Sequence, residues 1–224
     1  MTYILLTNKS WHDSLFDKLS ERPSEKWLRL SSKEEFSVSN LNKIKPNSIF
    51  IPHWSHIIPE EIFTKFNCIV FHMTDLPYGR GGSPLQNLIV RNQNETKISA
   101  LEVGDGLDTG PVYLKKSLSL HGTAKEIFLR SKSVIEKMIV EIIEKNLLPI
   151  PQKGEVVEFN RRRSQDGNLE DLKELQQIFN FIRMLDCEGY PSAFIETEDF
   201  RFEFSRASLK SEKEILADVR IIKK

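Results

Sequence analysis

Cysteine is nearly absent: Cys68 and Cys187 are the only two among 224 residues. Two thiols cannot build a disulfide framework or a cysteine-ligated zinc site. Both sit in or beside apolar runs, which suits buried, reduced thiols. Long apolar runs are missing as well, and nothing approaches the ~18 consecutive apolar residues of a membrane span. The chain opens on a strand-like Tyr3-Ile4-Leu5-Leu6-Thr7, with no charged leader and no small-residue cleavage site. The expectation is a cytoplasmic protein without membrane contact. Charge of one sign is not in excess, since 32 Lys+Arg balance 32 Asp+Glu. A neutral chain lacks the basic field of a general nucleic-acid binder, although a local basic patch remains compatible. Three motifs are also missing. Asn8-Lys9-Ser10 follows the first strand where a dinucleotide site would carry GxGxxG, and there is neither a Walker loop nor a GxSxG elbow.

Hydrophobic residues make up 39% of the chain. A chain of this length buries roughly 70% of its unfolded surface, so a packed core needs no staples. Strand and helix signals alternate through the first 71 residues. Strands are expected at Tyr3–Thr7, Trp27–Leu30, Ser48–Pro52 and Cys68–Phe71, with helices at Ser10–Leu19, Ser32–Asn42 and Pro59–Phe66. That rhythm predicts an α/β fold with a mostly parallel sheet and crossover helices. An irregular stretch follows from His72 to Pro84. A helix is expected at Leu85–Arg91, strands at Lys97–Val103 and Pro111–Leu118 flank a glycine-rich turn, and a long helix runs from Thr123 to about Lys145. Thr123 and Glu126 have capping-box spacing, and Ile127, Phe128, Val134, Ile135, Met138, Ile139, Ile142 and Ile143 form an apolar stripe for the core. Leu148–Gly154 carries two prolines and reads as a linker. Beyond it lie a basic loop at Asn160–Arg163, a helix at Leu169–Leu185 and a set of short strands from Phe194 to Ile222.

Open α/β sheets bind ligands beyond the carboxyl ends of their strands. His53, Trp54, His56 and His72 fall at such ends, whereas His12 and His121 are expected on the surface. His53 and His56 have no third ligand nearby, so no metal site is expected. Gly79-Arg80-Gly81-Gly82-Ser83 precedes a helix; such a run either presents N–H groups to an anion or simply lets the chain turn.

The segment from His72 to Pro84, His-Met-Thr-Asp-Leu-Pro-Tyr-Gly-Arg-Gly-Gly-Ser-Pro, resembles the HxSxLPxxRGxxP motif of N10-formyltetrahydrofolate-dependent formyltransferases. Leu107-Asp108-Thr109-Gly110 resembles that family's LDTG turn, and the separation of 36 from His72 to Asp108 suits it. Arg161-Arg162, Asp166-Gly167, Asn180-Phe181-Ile182-Arg183 and Tyr190-Pro191-Ser192-Ala193 are similar to the pattern after the catalytic domain in sugar N-formyltransferases, and in the aminoarabinose formyltransferase of polymyxin resistance. The resemblance implies a Rossmann-like formyltransferase domain over 1–147. A linker, a helix and a small C-terminal β region then occupy 148–224.

It also implies a chemistry, in which a primary amine attacks the formyl carbon carried by the folate co-substrate. His72 is the expected base, since an imidazole titrates near neutral pH. Asp108 is expected to fix its tautomer or order a water. Trp54, His56, Ile57, Gly104, Asp105 and Gly106 are expected to hold N10-formyltetrahydrofolate, while Thr74, Arg80 and Arg183 are expected to contact the acceptor. Two positions depart from the family: Thr74 stands for its Ser, a mild change, and Val70 stands where the family has Asn. An amide that would help hold the formyl oxygen is thereby lost, and a backbone N–H, Thr74 or a nearby histidine is expected to replace it. The acceptor implied is a nucleotide-linked amino sugar, for example a UDP- or dTDP-linked 4-amino-4,6-dideoxy sugar on the pseudaminic acid route, with a homodimer formed through C-terminal strands. Aminoacyl-tRNA or glycinamide ribonucleotide is the alternative acceptor. Non-catalytic folate or nucleotide-sugar binding is the alternative activity.

Overall fold

A computed structural model describes all 224 residues. In chain order the elements are β1 (Thr2–Leu6), α1 (Asp13–Ser20), β2 (Lys26–Leu30), α2 (Val38–Ile44), β3 (Ser48–Pro52), α3 (Glu60–Phe63), β4 (Cys68–His72), β5 (Tyr78–Gly81), α4 (Pro84–Val90), β6 (Glu95–Glu102), β7 (Val112–Ser119), α5 (Ala124–Glu144), β8 (Val157–Phe159), α6 (Leu175–Leu185), β9 (Ala193–Glu196), β10 (Phe200–Ser211) and β11 (Glu214–Lys223). The chain forms two compact units. One comprises 1–80, 97–118 and 129–158, the other 81–96, 119–128 and 159–224. The single division expected at 147/148 therefore does not follow the contacts, because 81–96 and 119–128 join the C-terminal region.

A six-stranded sheet ordered β2-β1-β3-β4-β6-β7 organises the first unit. β1 to β4 pair in parallel and β6 runs antiparallel to β4, with His72 opposite Ser99. Ile4, Leu5, Leu6, Ile49, Phe50, Ile51 and Ile69 are all almost fully buried. Consecutive burial, in place of in/out alternation, marks parallel strands covered on both faces. Along α5, Ile135, Met138, Ile139 and Ile142 are buried while Val134 and Ile143 are half-buried, so the apolar stripe is the packed face. The helix opens on the expected box, Glu126 N–H donating to Thr123 Oγ1 (3.3 Å) and Thr123 N–H to Glu126 Oε2 (2.7 Å).

In the second unit α6 packs on α4 and on the antiparallel sheet β11-β10-β9. Three expectations are corrected by backbone pairing. The helix expected from Leu169 begins at Leu175, because Leu169 N–H donates to Phe194 O (2.8 Å). The short strands expected after Phe194 are in fact β9 plus a long hairpin of 12 and 10 residues. Within the supposedly irregular His72–Pro84 segment, β5 pairs with β8, a pairing partner 76 or more residues away that local pattern cannot reveal.

His12 is also corrected: it is fully buried. The chain leaves β1 toward β2 on one side and returns to β3 on the other, so a topological switch point lies between the carboxyl ends of β1 and β3. His12 and His53 fill it, with His12 Nε2 2.8 Å from His53 Nδ1 and His53 Nε2 3.2 Å from Met73 Sδ. Sulfur accepts hydrogen bonds only weakly, yet it cannot donate here; the consistent order is His12 Nε2–H to His53 Nδ1 and His53 Nε2–H to Met73. Burial, then His53 and nearby cations, pushes the His12 imidazole down to about 2, and burial with Lys9 takes His53 to about 4.

Both folded-state values lie below that of an unfolded histidine, so the unfolded chain takes up protons that the folded chain refuses. The pair's stability is complete above about pH 6.5 and is lost as pH falls from there, toward about 4 for His53 and on toward about 2 for His12. The urea midpoint should therefore drop between pH 7.5 and pH 5, and by less in His12→Phe. Equal drops in the two proteins would contradict this account of the pair.

Candidate active site

β4 ends on His72, and the next seven residues fold back over its ring. The ring is 8% exposed. Its Nε2 lies 2.7 Å from the carbonyl oxygen of Gly79, and its Nδ1 lies 3.4 Å from Asp108 Oδ2. A carbonyl can only accept, so Nε2 carries the proton and Nδ1 presents the lone pair. The tautomer-fixing group is thus the Gly79 carbonyl, which corrects the expectation that Asp108 fixes it. Asp108 instead faces the nitrogen that is free to take a proton. The 3.4 Å gap exceeds an ordinary hydrogen bond. It becomes a charge-assisted contact once Nδ1 is protonated.

The loop that delivers Gly79 is tied down at several points. Gly79 has φ 77°, in the left-handed region that favours glycine. Ser99 Oγ, fully buried, donates to Thr74 O (2.7 Å) and accepts from Leu76 N–H (3.3 Å). Lys115 Nζ reaches both Asp75 Oδ1 (2.6 Å) and the carbonyl of Leu76, and Lys97 pairs with Asp75 Oδ2 at 2.9 Å. Burial alone would raise the Asp75 carboxyl; Lys115 and then Lys97 outweigh it and hold it below the usual range.

Asp108 sits in the turn between β6 and β7 with φ 55°. Gly110 lets this turn close: a Cβ there would stand 1.8 Å from Glu102 O, so no other residue fits. Thr109 Oγ1 donates to Asp105 O (2.5 Å). Asp105 and Gly106 are exposed and Gly104 is half-buried with nothing within 4 Å of its missing Cβ, which leaves this backbone accessible to a flat ligand's edge. After β3, Trp54 packs edge-on against Phe36 (6.4 Å, 74°) and against His56 (5.1 Å, 75°), while Ile57 is 89% exposed. Both segments thus leave surface open, an apolar side chain at Ile57 and backbone at Gly104–Gly106. His56 is exposed, and no group of three or more His, Cys, Asp or Glu side chains stands in metal-binding arrangement.

Thr74 and Arg183 are corrected as acceptor contacts. Thr74 is fully buried and its hydroxyl donates to Gly79 O (3.3 Å). It frames the site and has no hydrogen to spare for a formyl oxygen. Arg183, 5% exposed and in the second unit, donates to Leu120 O (2.6 Å), Gly122 O (3.0 Å) and Asn180 Oδ1 (2.8 Å), holding backbone where an anion was expected. Arg80 lies in the same unit as His72, with Nε and Nη2 on Gln152 Oε1 at 3.2 and 2.8 Å. Val70, half-buried, shares the His72 face of β4 and packs with Leu76, Leu101 and Val112. Its isopropyl group offers no donor. Ser99, Lys115 and Gln152 carry no signal of their own in the sequence, because their roles rest on groups brought close only by folding.

Comparison with known proteins identifies the family. Residues 16–143 match the family model described as formyl transferase, and residues 164–222 match that of the methionyl-tRNA formyltransferase C-terminal domain. The chain belongs to the formyl transferase family. It is 29% identical over 185 residues to the methionyl-tRNA formyltransferase of Thermodesulfovibrio yellowstonii, covering 79% of this chain and 59% of that protein. The chain thus spans little more than half the length of such curated relatives. A solved structure titled methionyl-tRNA formyltransferase from Clostridium thermocellum matches with TM-score 0.97 and 45% identity, covering 100% of both chains. At the level of fold alone, HypX from Aquifex aeolicus, solved in complex with tetrahydrofolic acid, matches with TM-score 0.76 and 16% identity over 92% of this chain and 37% of that one.

Proposed function

We propose that this protein transfers a formyl group from N10-formyltetrahydrofolate to a primary amine. The carrying observation is the ring of His72 at the end of β4, with Nε2 held by Gly79 O and Nδ1 facing Asp108. Nδ1 takes the proton as the amine attacks the formyl carbon. The resulting imidazolium is stabilised by the Asp108 carboxylate beside Nδ1, and it returns the proton to the folate N10 as the bond from N10 to the formyl carbon breaks. Thr74 is committed to Gly79, and His53 to Met73, so neither replaces the amide that Val70 lacks. Trp54, His56 and Ile57 on one side, and Gly104, Asp105 and Gly106 on the other, are the proposed folate contacts.

The acceptor in this reading is a nucleotide-linked amino sugar, in a cytoplasmic reaction. It is favoured by the zero net charge, which provides no general attraction to RNA. The full-length match to a protein titled methionyl-tRNA formyltransferase favours a second reading, with methionyl-tRNA as acceptor. No helix is long and apolar enough to cross a membrane. Two copies are proposed to pair through β10 and β11. Phe202 lies opposite Ile221 and Phe204 opposite Val219 on one face, with Val219 48% and Ile221 63% exposed. Sedimentation at micromolar concentration should give twice the chain mass, and a single-chain mass would contradict the pairing.

The reaction is tested by incubating the protein with N10-formyltetrahydrofolate and either UDP- and dTDP-linked amino sugars or methionyl-tRNA, reading the mass gain of one formyl group. Product with a sugar, abolished in His72→Ala, supports the first reading. Product only with methionyl-tRNA moves the acceptor to the second, and no product with any amine contradicts formyl transfer. A missing oxyanion donor costs roughly 100- to 1000-fold in rate. Val70→Asn should therefore raise turnover at least about tenfold, and unchanged turnover would show that a backbone N–H already fills the place.

A further inference from the structure

The segment expected to be a bare linker carries a side chain aimed at the active-site turn. Gln152 Nε2 donates to both Asp108 O and Gly110 O, at 2.8 Å each. The two carbonyls bracket Thr109, so one amide spans the part of the turn that sets Asp108. The other end of that amide is fixed too. Arg80 Nε and Nη2 converge on Gln152 Oε1, which forces the oxygen toward Arg80 and the NH2 toward the turn. The backbone beside Gln152 is anchored on the strand leaving the same turn: Val112 N–H donates to Ile150 O (2.8 Å) and Ile150 N–H to Val112 O (2.9 Å). Arg80 in turn follows Gly79 directly, the residue whose carbonyl holds His72. A chain of hydrogen bonds therefore runs from the loop holding His72, through Arg80 and Gln152, to the turn holding Asp108.

We infer that Gln152 is a positioning residue for Asp108 and that Arg80 sets the orientation of its amide. Asp108 needs this help for two reasons. Its φ of 55° is unfavourable for a residue with a Cβ, and the turn is exposed on either side at Leu107 and Thr109. Relaxation of the turn would carry the carboxylate away from Nδ1, where a shift of 1 Å already exceeds an ion-pair contact. This inference rests on the proposed formyl transfer for its kinetic arm only.

The test uses the full chain with Gln152→Ala, Gln152→Glu, Arg80→Lys and Asp108→Asn. Gln152→Glu keeps the shape and the partner for Arg80 but sets an acceptor against two carbonyls, so it disrupts the turn without emptying the space. Nitrogen NMR of the His72 imidazole should move in Gln152→Ala and Gln152→Glu toward the resonances of Asp108→Asn, with a smaller move in Arg80→Lys. In the formyl-transfer assay, turnover should fall about ten- to hundredfold in both Gln152 variants, the scale of losing two neutral hydrogen bonds. KM for the amine should change less than about threefold. In an Asp108→Ala background, Gln152→Ala should cost little more, as coupled residues do. His72 resonances at parent positions in well-folded Gln152→Ala and Gln152→Glu would overturn the inference, as would full multiplicative losses in the double variant. Should the resonances move while even the parent transfers no formyl group, the positioning role stands and the proposed reaction fails.

Discussion

The hydrogen bond from His72 Nε2–H to the carbonyl of Gly79 governs the site. At 2.7 Å, on a ring sealed from bulk water, it decides which nitrogen carries the proton and which remains free. The rest of the loop serves that one contact. Ser99, held opposite His72 by the antiparallel register of β4 and β6, grips the backbone at Thr74 and Leu76. Lys115 and Lys97 neutralise Asp75 between them. Thr74 adds a second donor to the same Gly79 oxygen. Such a polar network is costly when half satisfied and specific when complete.

The two strands that bring the histidine and the aspartate together are neighbours by topology. β4 ends at His72, and the turn leaving β6 returns over it. Gly110 permits that return because its backbone runs against Glu102 O without a side chain between. The pairing of Nδ1 with Asp108 thus depends on the course of the turn itself, because β6 leaves the sheet at Glu102, opposite Ile69 and not opposite His72. The apolar parallel strands beneath, buried on both faces, provide the rigid base on which a 3.4 Å relation can be held.

Much of this was legible in the residues. The period-3.6 stripe of α5, its capping box, and the continuous apolar runs of β1, β3 and β4 are local signals, and local signals are what a sequence displays. His72 and Asp108 were legible through their motifs. What stayed hidden depends on distant partners. β5 is defined by β8, the hairpin by β10–β11 pairing that continues past two register shifts, and the start of α6 by a backbone bond to Phe194. His12 read as a surface residue because its partner, His53, lies 41 positions away. Thr74 and Arg183 read as ligand contacts because exposed and internally committed polar groups look alike until their hydrogen bonds are known. The tautomer could not be read at all, since it depends on a backbone carbonyl, which every residue has.

The central claim is tested most directly by long-range nitrogen–proton NMR of histidine-labelled protein in its neutral-imidazole form. The account requires His72 to show the Nε2–H tautomer, with Nδ1 bearing the lone pair. A dominant Nδ1–H tautomer would mean that Asp108, and not Gly79, fixes the ring, and would contradict the assignment of Nδ1 as the proton acceptor.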